Sequence, residues 1–257
     1  MDFARLTRYG ALSVSGEDAR EFLHAQLTND IRDLPAGRAA LAGWCSAKGR
    51  LLASLLVIPA PQGFLLQLAR DLAPAVAKRL AMFVLRSKVK IADESAAWFQ
   101  FGVWGDVPGL QLPTEIFALS WKDDGTVGIR AGDGRVLVLS RGPNFKSGRE
   151  AAESRWTLEE IRAGRPLITN ATQELFVPQM VNLHALGGVD FHKGCYPGQE
   201  VVARTQYRGQ LKRHMVRAHA PAGTEVRPGG EFDGGTVVDA APTDDGSELL
   251  AVVPLSQ

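Results

Sequence analysis

Eighteen residues, Gly187 to Arg204, concentrate the reactive side chains of this 257-residue chain. They hold four glycines, Lys193, Cys195, the Gln199-Glu200 pair and Arg204. Pro197-Gly198 marks a turn, and Gln199–Gln206 has the composition of a helix. Cys195 therefore falls on a glycine-flanked loop just ahead of a helix N-terminus. Free backbone N–H groups and the helix dipole favour an anion at such a place. Lys193 adds a positive charge two residues away, so the pattern suits a thiolate, reactive or metal-capturing. A buried, inert cysteine in a tight turn explains the same residues without chemistry. Cys45 has only Lys48 nearby and reads as structural. A disulfide between the two cysteines has nothing in the sequence to support it.

Other residues could serve a site around that loop. Glu200 and Arg204 are spaced i, i+4 on the predicted helix. They form either a surface pair worth about 0.3–0.5 kcal/mol or a ligand-binding carboxylate with an orienting guanidinium. Arg204, Arg208, Lys212 and Arg213 make a basic cluster, which could meet a phosphate, RNA or the chain's own acidic tail; the tail is the favoured partner. Gln179 and Asn182, in Phe176-Val-Pro-Gln-Met-Val-Asn182, carry amides that could hydrogen-bond a heterocycle. Asn29-Asp30 could close a pocket or cap a turn. Trp156 could be a ligand platform or, more commonly, core. No zinc spacing, phosphate-binding P-loop, nucleophile elbow or dinucleotide fingerprint occurs.

The elements needed to hold these residues can be read from periodicity. Short strands are predicted at Ala11–Val14, Leu51–Ile58, Phe64–Leu68, Ser87–Ala92, Trp98–Trp104, Ile116–Trp121, Thr126–Arg130 and Arg135–Leu139. Pro59-Ala-Pro-Gln-Gly63 joins the second and third as a hairpin. Ser15-Gly-Glu-Asp18 reads as a helix start, followed by a helix with Phe22, Leu23 and Leu27 on one face. Further helices are predicted over about Asp71–Leu85 and Arg149–Ala163. Runs of strands beside helices indicate an α+β class rather than a doubly wound sheet.

Composition is that of a globular protein, with 45% hydrophobic and 22% charged residues. A net charge of +1 argues against a dedicated nucleic-acid binder. It conceals an asymmetry. Residues 220–257 carry seven acids against Arg227 alone, a balance of −6, which leaves +7 on the first 219 residues. The acidic tail also has six glycines, four prolines and strand-like runs at Thr236–Asp239 and Leu249–Val253. It reads as a small all-β module, with a boundary near Gly209–Leu211. No apolar run approaches the ~20 residues of a membrane helix. The opening Met-Asp-Phe-Ala-Arg-Leu-Thr has no signal-peptide h-region, so a reducing cytoplasm is the expected location and no membrane partner is expected.

The segment Lys193-Gly-Cys-Tyr-Pro-Gly-Gln-Glu200 resembles the K-G-C-Y-x-G-Q-E signature of the YgfZ-type folate-binding proteins of iron–sulfur cluster maturation. These are relatives of the glycine-cleavage T-protein, an aminomethyltransferase. Phe176–Leu183, Leu186-Gly-Gly188, Val202-Ala-Arg204, Tyr207-Arg-Gly209, His24–Asp30 and Cys45-Ser-Ala-Lys-Gly49 are similar to flanking patterns of that family. The resemblance implies an α+β, three-part cloverleaf. Residues 1–45 and 143–209 would form a discontinuous folate-binding domain, 46–142 an inserted ferredoxin-like α+β domain, and 210–257 a C-terminal β-barrel.

By that resemblance the cofactor is tetrahydrofolate or a derivative, with no metal bound by this chain alone. Tyr9 and Trp156 would stack on the pterin, and Gln179, Asn182, Tyr196, Gln199 and Arg204 would line the site. Cys195, tuned by Lys193 and with Glu200 beside it, would be the working thiol. Partners would be iron–sulfur client enzymes, tRNA-thiolating ones among them, or assembly proteins, with nucleic acid involved only indirectly. The alternative is a folate-dependent aminomethyl or one-carbon transferase, for which Asp30, Asp190 and Glu200 are the available carboxylates. Ala53 and Ser54 stand where the T-proteins have a catalytic Asp, which disfavours that alternative. A third possibility is RNA binding through the cluster at 204–213.

Overall fold

The computed structural model describes residues 1–143, 145, 148–209 and 211–255. In chain order the strands and helices are β1 (Asp2–Arg5), β2 (Tyr9–Ser15), α1 (Ala19–Gln26), β3 (Ala40–Cys45), β4 (Leu51–Ala60), β5 (Gly63–Ala69) and α2 (Ala73–Ala81). They continue as β6 (Lys90–Asp93), β7 (Phe99–Trp104), β8 (Leu119–Trp121), β9 (Val127–Gly132), β10 (Arg135–Ser140), β11 (Arg149–Glu150) and α3 (Glu153–Arg162). The last are α4 (Gln199–Tyr207), β12 (Arg213–Pro221), β13 (Glu231–Phe232), β14 (Gly235–Thr243) and β15 (Gly246–Pro254). A single 3-10 turn spans Pro178–Val181. The fold is mixed α+β, as the pattern of elements predicts.

Two compact units share the chain. One comprises Met1–Arg20, Asp33–Ala40 and Leu56–Trp156. It holds a six-stranded sheet in the order β11-β1-β7-β10-β9-β8, in which β1 pairs parallel with β11 and antiparallel with β7. Phe101, Val103, Val107, Val136 and Val138 form its apolar cluster. In the same unit β5 pairs with β2 and with the second half of β4, and β2 pairs with β6. A buried polar link, Gln67 Nε2 to Gln100 Oε1 at 2.7 Å and Gln100 Nε2 to the Gly10 carbonyl at 3.1 Å, satisfies groups that burial would otherwise penalise.

The other unit comprises Glu21–Arg32, Leu41–Leu55 and Thr157–Gln257. Its largest sheet has the order β12-β15-β14-β13, all antiparallel. The resemblance implies a barrel here. The sheet is instead a curled half-barrel, and no pairing among the described residues closes it. A bulge between Val237 and Asp239 bends β14. Asp233-Gly234 turns β13 into β14 with positive φ at both residues, 48° and 66°, the conformation an Asp-Gly hairpin supplies.

Several element ends differ from the periodicity, three of them because of a partner remote in sequence. Ser15 lies in β2, paired with Lys90, rather than capping a helix. Asp18 accepts the Lys88 N–H at 2.7 Å, and α1 starts only at Ala19. Arg149-Glu150 joins β1 as a strand, so α3 begins at Glu153. Helix α2 stops at Ala81, short of the predicted Leu85, which has a φ of 40°. Ser87–Val89 precede the strand β6 instead of belonging to it. The boundary expected near Gly209–Leu211 falls on Gln210, outside the described residues.

Candidate functional site

The signature loop is seated on the C-terminal end of α1. A helix leaves its last carbonyls without partners, and a lysine fills that need here. Lys193 Nζ donates to the His24 carbonyl and, at 2.6 Å, to that of Leu27. A cation is well placed at this end of the helix dipole. Lys193 is 8% exposed, and burial lowers its pKa to about 8, against which Asp30 and Asp190 act. Its ammonium also lies 5.0 Å from the Tyr196 ring centroid. Tyr196 is itself buried, and burial raises the pKa of its phenol.

Two residues after α1 stitch the loop to β3. Thr28 Oγ1 donates to the Gly188 carbonyl at 2.6 Å and accepts the Gly43 N–H at 2.7 Å. Asn29 Nδ2 donates to the carbonyls of Leu41 at 2.7 Å and Gly187 at 2.8 Å. Asp30 lies 3.1 Å from His24 Nδ1. The polar pair Thr28-Asn29 is thus structural cement for the loop, a role its side chains suggest only once Gly187-Gly188 is known to lie against it.

Gly198 fixes the start of α4. Its φ is +79°, and a Cβ there would stand 2.4 Å from the Ser46 carbonyl oxygen and 2.7 Å from the Gly49 backbone. Gly49, at φ +70°, meets Val201 of α4 in turn. The Ser46–Gly49 turn, closed by Gly49 N–H to Ser46 O at 2.8 Å, therefore interlocks with the loop glycine for glycine. The signature residues divide the physical work among them. Lys193 pins the loop, Tyr196 anchors it, and Gly198 permits the close approach. Cys195 is left exposed between them.

Both cysteines are free. Cys45 is buried, and burial pushes its thiol up to about 12, which makes it the structural thiol the sequence suggests. Glu200 and Arg204 are both exposed on α4, and no ion pair joins them among the described residues. Gln199 Nε2 makes only long contacts, 3.4 Å, to the Lys193 and Gly194 carbonyls. The amides of Gln179 and Asn182 are engaged with main chain: Gln179 Nε2 with Val202 O at 2.7 Å, Asn182 Nδ2 with Met215 O at 2.9 Å. Gln179 Oε1 remains buried without a partner.

Tyr9 and Trp156 belong to the other unit. Trp156 lies on Gly102, where no side chain could be accommodated: a Cβ would come within 2.1 Å of its ring. Trp104 stands edge-on at 5.9 Å and the Arg135 guanidinium lies 5.2 Å from the ring centre. Tyr9, at the start of β2, is buried with the Arg8 guanidinium 5.9 Å from its ring. Ala53 is fully buried, and Ser54 Oγ accepts the Ile168 N–H at 3.0 Å. That position holds no carboxylate and its hydroxyl is already spent.

The basic cluster meets the tail only through backbone pairing, Lys212 O accepting the Leu255 N–H and Arg213 pairing with Pro254, and among the described residues it makes no ion pair there. Glu248 pairs with Arg162 at 2.6 Å, Asp245 with His219 at 3.2 Å and Glu225 with Arg227 at 3.7 Å. Arg204, Arg208, Lys212 and Arg213 are exposed, and among the described residues none pairs with an acid of the tail. Sequence reasoning missed His24 as a residue near the thiol loop. Its imidazole is 5% exposed, and the only cue was a histidine six residues ahead of an aspartate across a helix end. No group of three metal-binding side chains occurs among the described residues, and no described helix is long and apolar enough to cross a membrane.

No family model matches the chain. Individual proteins do. The tRNA-modifying protein YgfZ of Edwardsiella ictaluri is 32% identical, covering 97% of this chain and 83% of its own length. That of Klebsiella pneumoniae is 30% identical over 96% and 83%. Among solved structures, the glycine cleavage system aminomethyltransferase T of Bartonella henselae matches with a TM-score of 0.77, covering 98% of this chain and 78% of that one. Its 19% identity establishes a shared fold and nothing about activity. With a relative above 30% identity aligned over 97% of this chain and 83% of that protein, the chain belongs to the YgfZ family of tRNA-modifying proteins.

Proposed function

We propose that the chain is a tetrahydrofolate-binding protein of the cytoplasm that supports assembly or repair of iron–sulfur clusters in client enzymes, tRNA-modifying ones among them. The observation that carries this reading is the exposed Cys195 on a loop pinned from both sides by Lys193 and Gly198. A thiol displayed on such a rigid mount is suited to work on a partner. A lone cysteine cannot complete a cluster's four ligands, so the cluster is cargo belonging to the client. Family membership agrees with a tRNA-linked role, and the T-protein fold agrees with folate. The three-part cloverleaf division at 1–45 with 143–209, 46–142 and 210–257 belongs to the same proposal.

The residues are chemically compatible with a folate. Gln179 keeps one buried acceptor without a donor, which an N–H of a heterocycle would satisfy. Asn182, Tyr196, Gln199 and Arg204 would contact the ligand beside it, and the resemblance assigns Tyr9 and Trp156 to the pterin. When bound, the folate would supply or accept a one-carbon unit. What this chain contributes is binding and orientation. The transferase alternative lacks support at the place where its carboxylate should stand, since Ala53 and Ser54 fill it.

Calorimetry with tetrahydrofolate and its one-carbon derivatives tests the cofactor half. Saturable binding is expected for the wild type. Truncating Trp156 would remove a buried ring worth about 3–5 kcal/mol of stability, so Trp156→Phe is the informative variant. It should fold and bind roughly three- to tenfold more weakly, on the scale of one lost aromatic contact. Absence of heat with every folate form would contradict the proposal. Turnover of an aminomethyl donor would replace it with the transferase.

A further inference from the structure

We infer that His24, oriented by Asp30, is the proton acceptor of the Cys195 thiol, so that the loop offers a thiolate to an electrophilic sulfur of a partner. The inference rests on the proposed role of Cys195 as the working thiol and adds a second residue to it.

His24 is held on one side and unpartnered on the other. Nδ1 lies 3.1 Å from Asp30 Oδ1, and the Arg32 N–H reaches that same oxygen at 2.7 Å but Nδ1 only at 3.4 Å. An ionised carboxylate can only accept. The shorter Arg32 bond therefore belongs to Asp30, and Nδ1 carries the hydrogen that it donates there. This sets the tautomer and leaves the lone pair on Nε2. Nε2 is buried and has no partner, an arrangement that costs free energy unless something answers it.

What Nε2 faces is the loop. A Cβ placed on Gly194 would lie 3.7 Å from it, and Cys195 is the next residue. The loop is held in register with the ring by the histidine's own backbone, because Lys193 Nζ binds the His24 carbonyl. Base, orienting carboxylate and thiol loop thus share one anchor, the arrangement that activates a nucleophile elsewhere.

The step balances without an oxidant for the ionisation. The S–H bond of Cys195 breaks, its proton moves to Nε2, and the resulting imidazolium faces the Asp30 carboxylate. The thiolate then attacks a disulfide, forming a mixed disulfide and expelling a thiolate. Asp30 lies against the ring, and Glu21 is within electrostatic reach of it. Arg32 is bound to Glu21 at 2.5 Å.

The test is the rate at which the purified full chain reacts with an aromatic disulfide, dithionitrobenzoate, from pH 5 to 9. Cys195→Ala identifies the signal, since Cys45 is buried. An unassisted thiol is only a few per cent thiolate at pH 7. His24→Gln and Asp30→Asn should therefore each lower the rate at pH 7 to about a tenth and move the profile to higher pH. Thermal melts show that each variant is folded, and Asp30→Asn serves if His24→Gln is not. Rates and profiles equal to wild type in a folded variant overturn the inference. They leave the role of Cys195 itself untouched, because that is judged by client activity in cells.

Discussion

Gly198→Ala is expected to lower the thermal midpoint by roughly 10 °C. Two costs combine. The residue sits at φ +79°, a conformation that costs an L-residue about 1–2 kcal/mol. Its new methyl group would also stand 2.4 Å from the Ser46 carbonyl oxygen and 2.7 Å from the Gly49 backbone. Backbone cannot swing aside as a side chain can, and overpacking of this kind costs about 1–3 kcal/mol. For a chain this long each kcal/mol corresponds to about 2–4 °C. Gly164 is the matched control, with φ +67° and nothing within reach of a Cβ. Gly164→Ala should show the conformational cost alone, about 1–2 kcal/mol. Melting the two variants side by side checks this. Equal shifts would mean that the interlock with the Ser46–Gly49 turn does not hold α4.

Lys193→Met should destabilise the chain by about 2–3 kcal/mol, despite relieving a buried charge. The carbonyls of His24 and Leu27 would lose their donor in a buried setting, at about 1–3 kcal/mol for each unsatisfied group. The wild type should also carry a pH signature that the variant lacks. The lysine titrates near 8 when folded and near 10.4 when unfolded. Within that window the unfolded chain binds the additional proton, so stability rises with pH. Below pH 8 the burial cost of the ammonium is present in full. Melts at pH 7.5 and 9.5 should show the wild type gaining on Lys193→Met at the higher pH. A difference that is constant with pH would mean that Lys193 is not desolvated as the geometry requires.

How legible the site was depends on how local each cause is. The thiol loop could be read directly, because Gly, Pro and a charged flank write their conformational demands into a few adjacent residues. The contrast between Cys195 and Cys45 was legible for the same reason. The role of Lys193 was not. Its partners are carbonyls at the end of α1, remote in sequence, and backbone acceptors leave no mark in composition. His24 was invisible as a neighbour of the loop for that reason too. The fold followed a similar rule. Strand β4 is apolar on both faces except at Ser54 and nearly every residue of it is buried, so a long apolar run found it. Ser15 looks like a helix start by type and Arg149 opens a predicted helix, yet each is claimed by a remote strand. The charge asymmetry was real, but its expected consequence was not: a −6 tail finds its partners in Arg162, His219 and Arg227, leaving the cluster at 204–213 exposed.

The most direct test of the proposed function is complementation with Cys195→Ala. The side chain is exposed, so the substitution should leave stability within about 0.5 kcal/mol of wild type. In cells lacking the protein, the activity of an iron–sulfur enzyme that modifies tRNA is measured with wild type, Cys195→Ala or Cys45→Ala supplied at matched levels. Cys45→Ala is expected to restore the modified nucleoside, and Cys195→Ala to leave it at the level of the empty control. Full restoration by Cys195→Ala would contradict the role given to the exposed thiol.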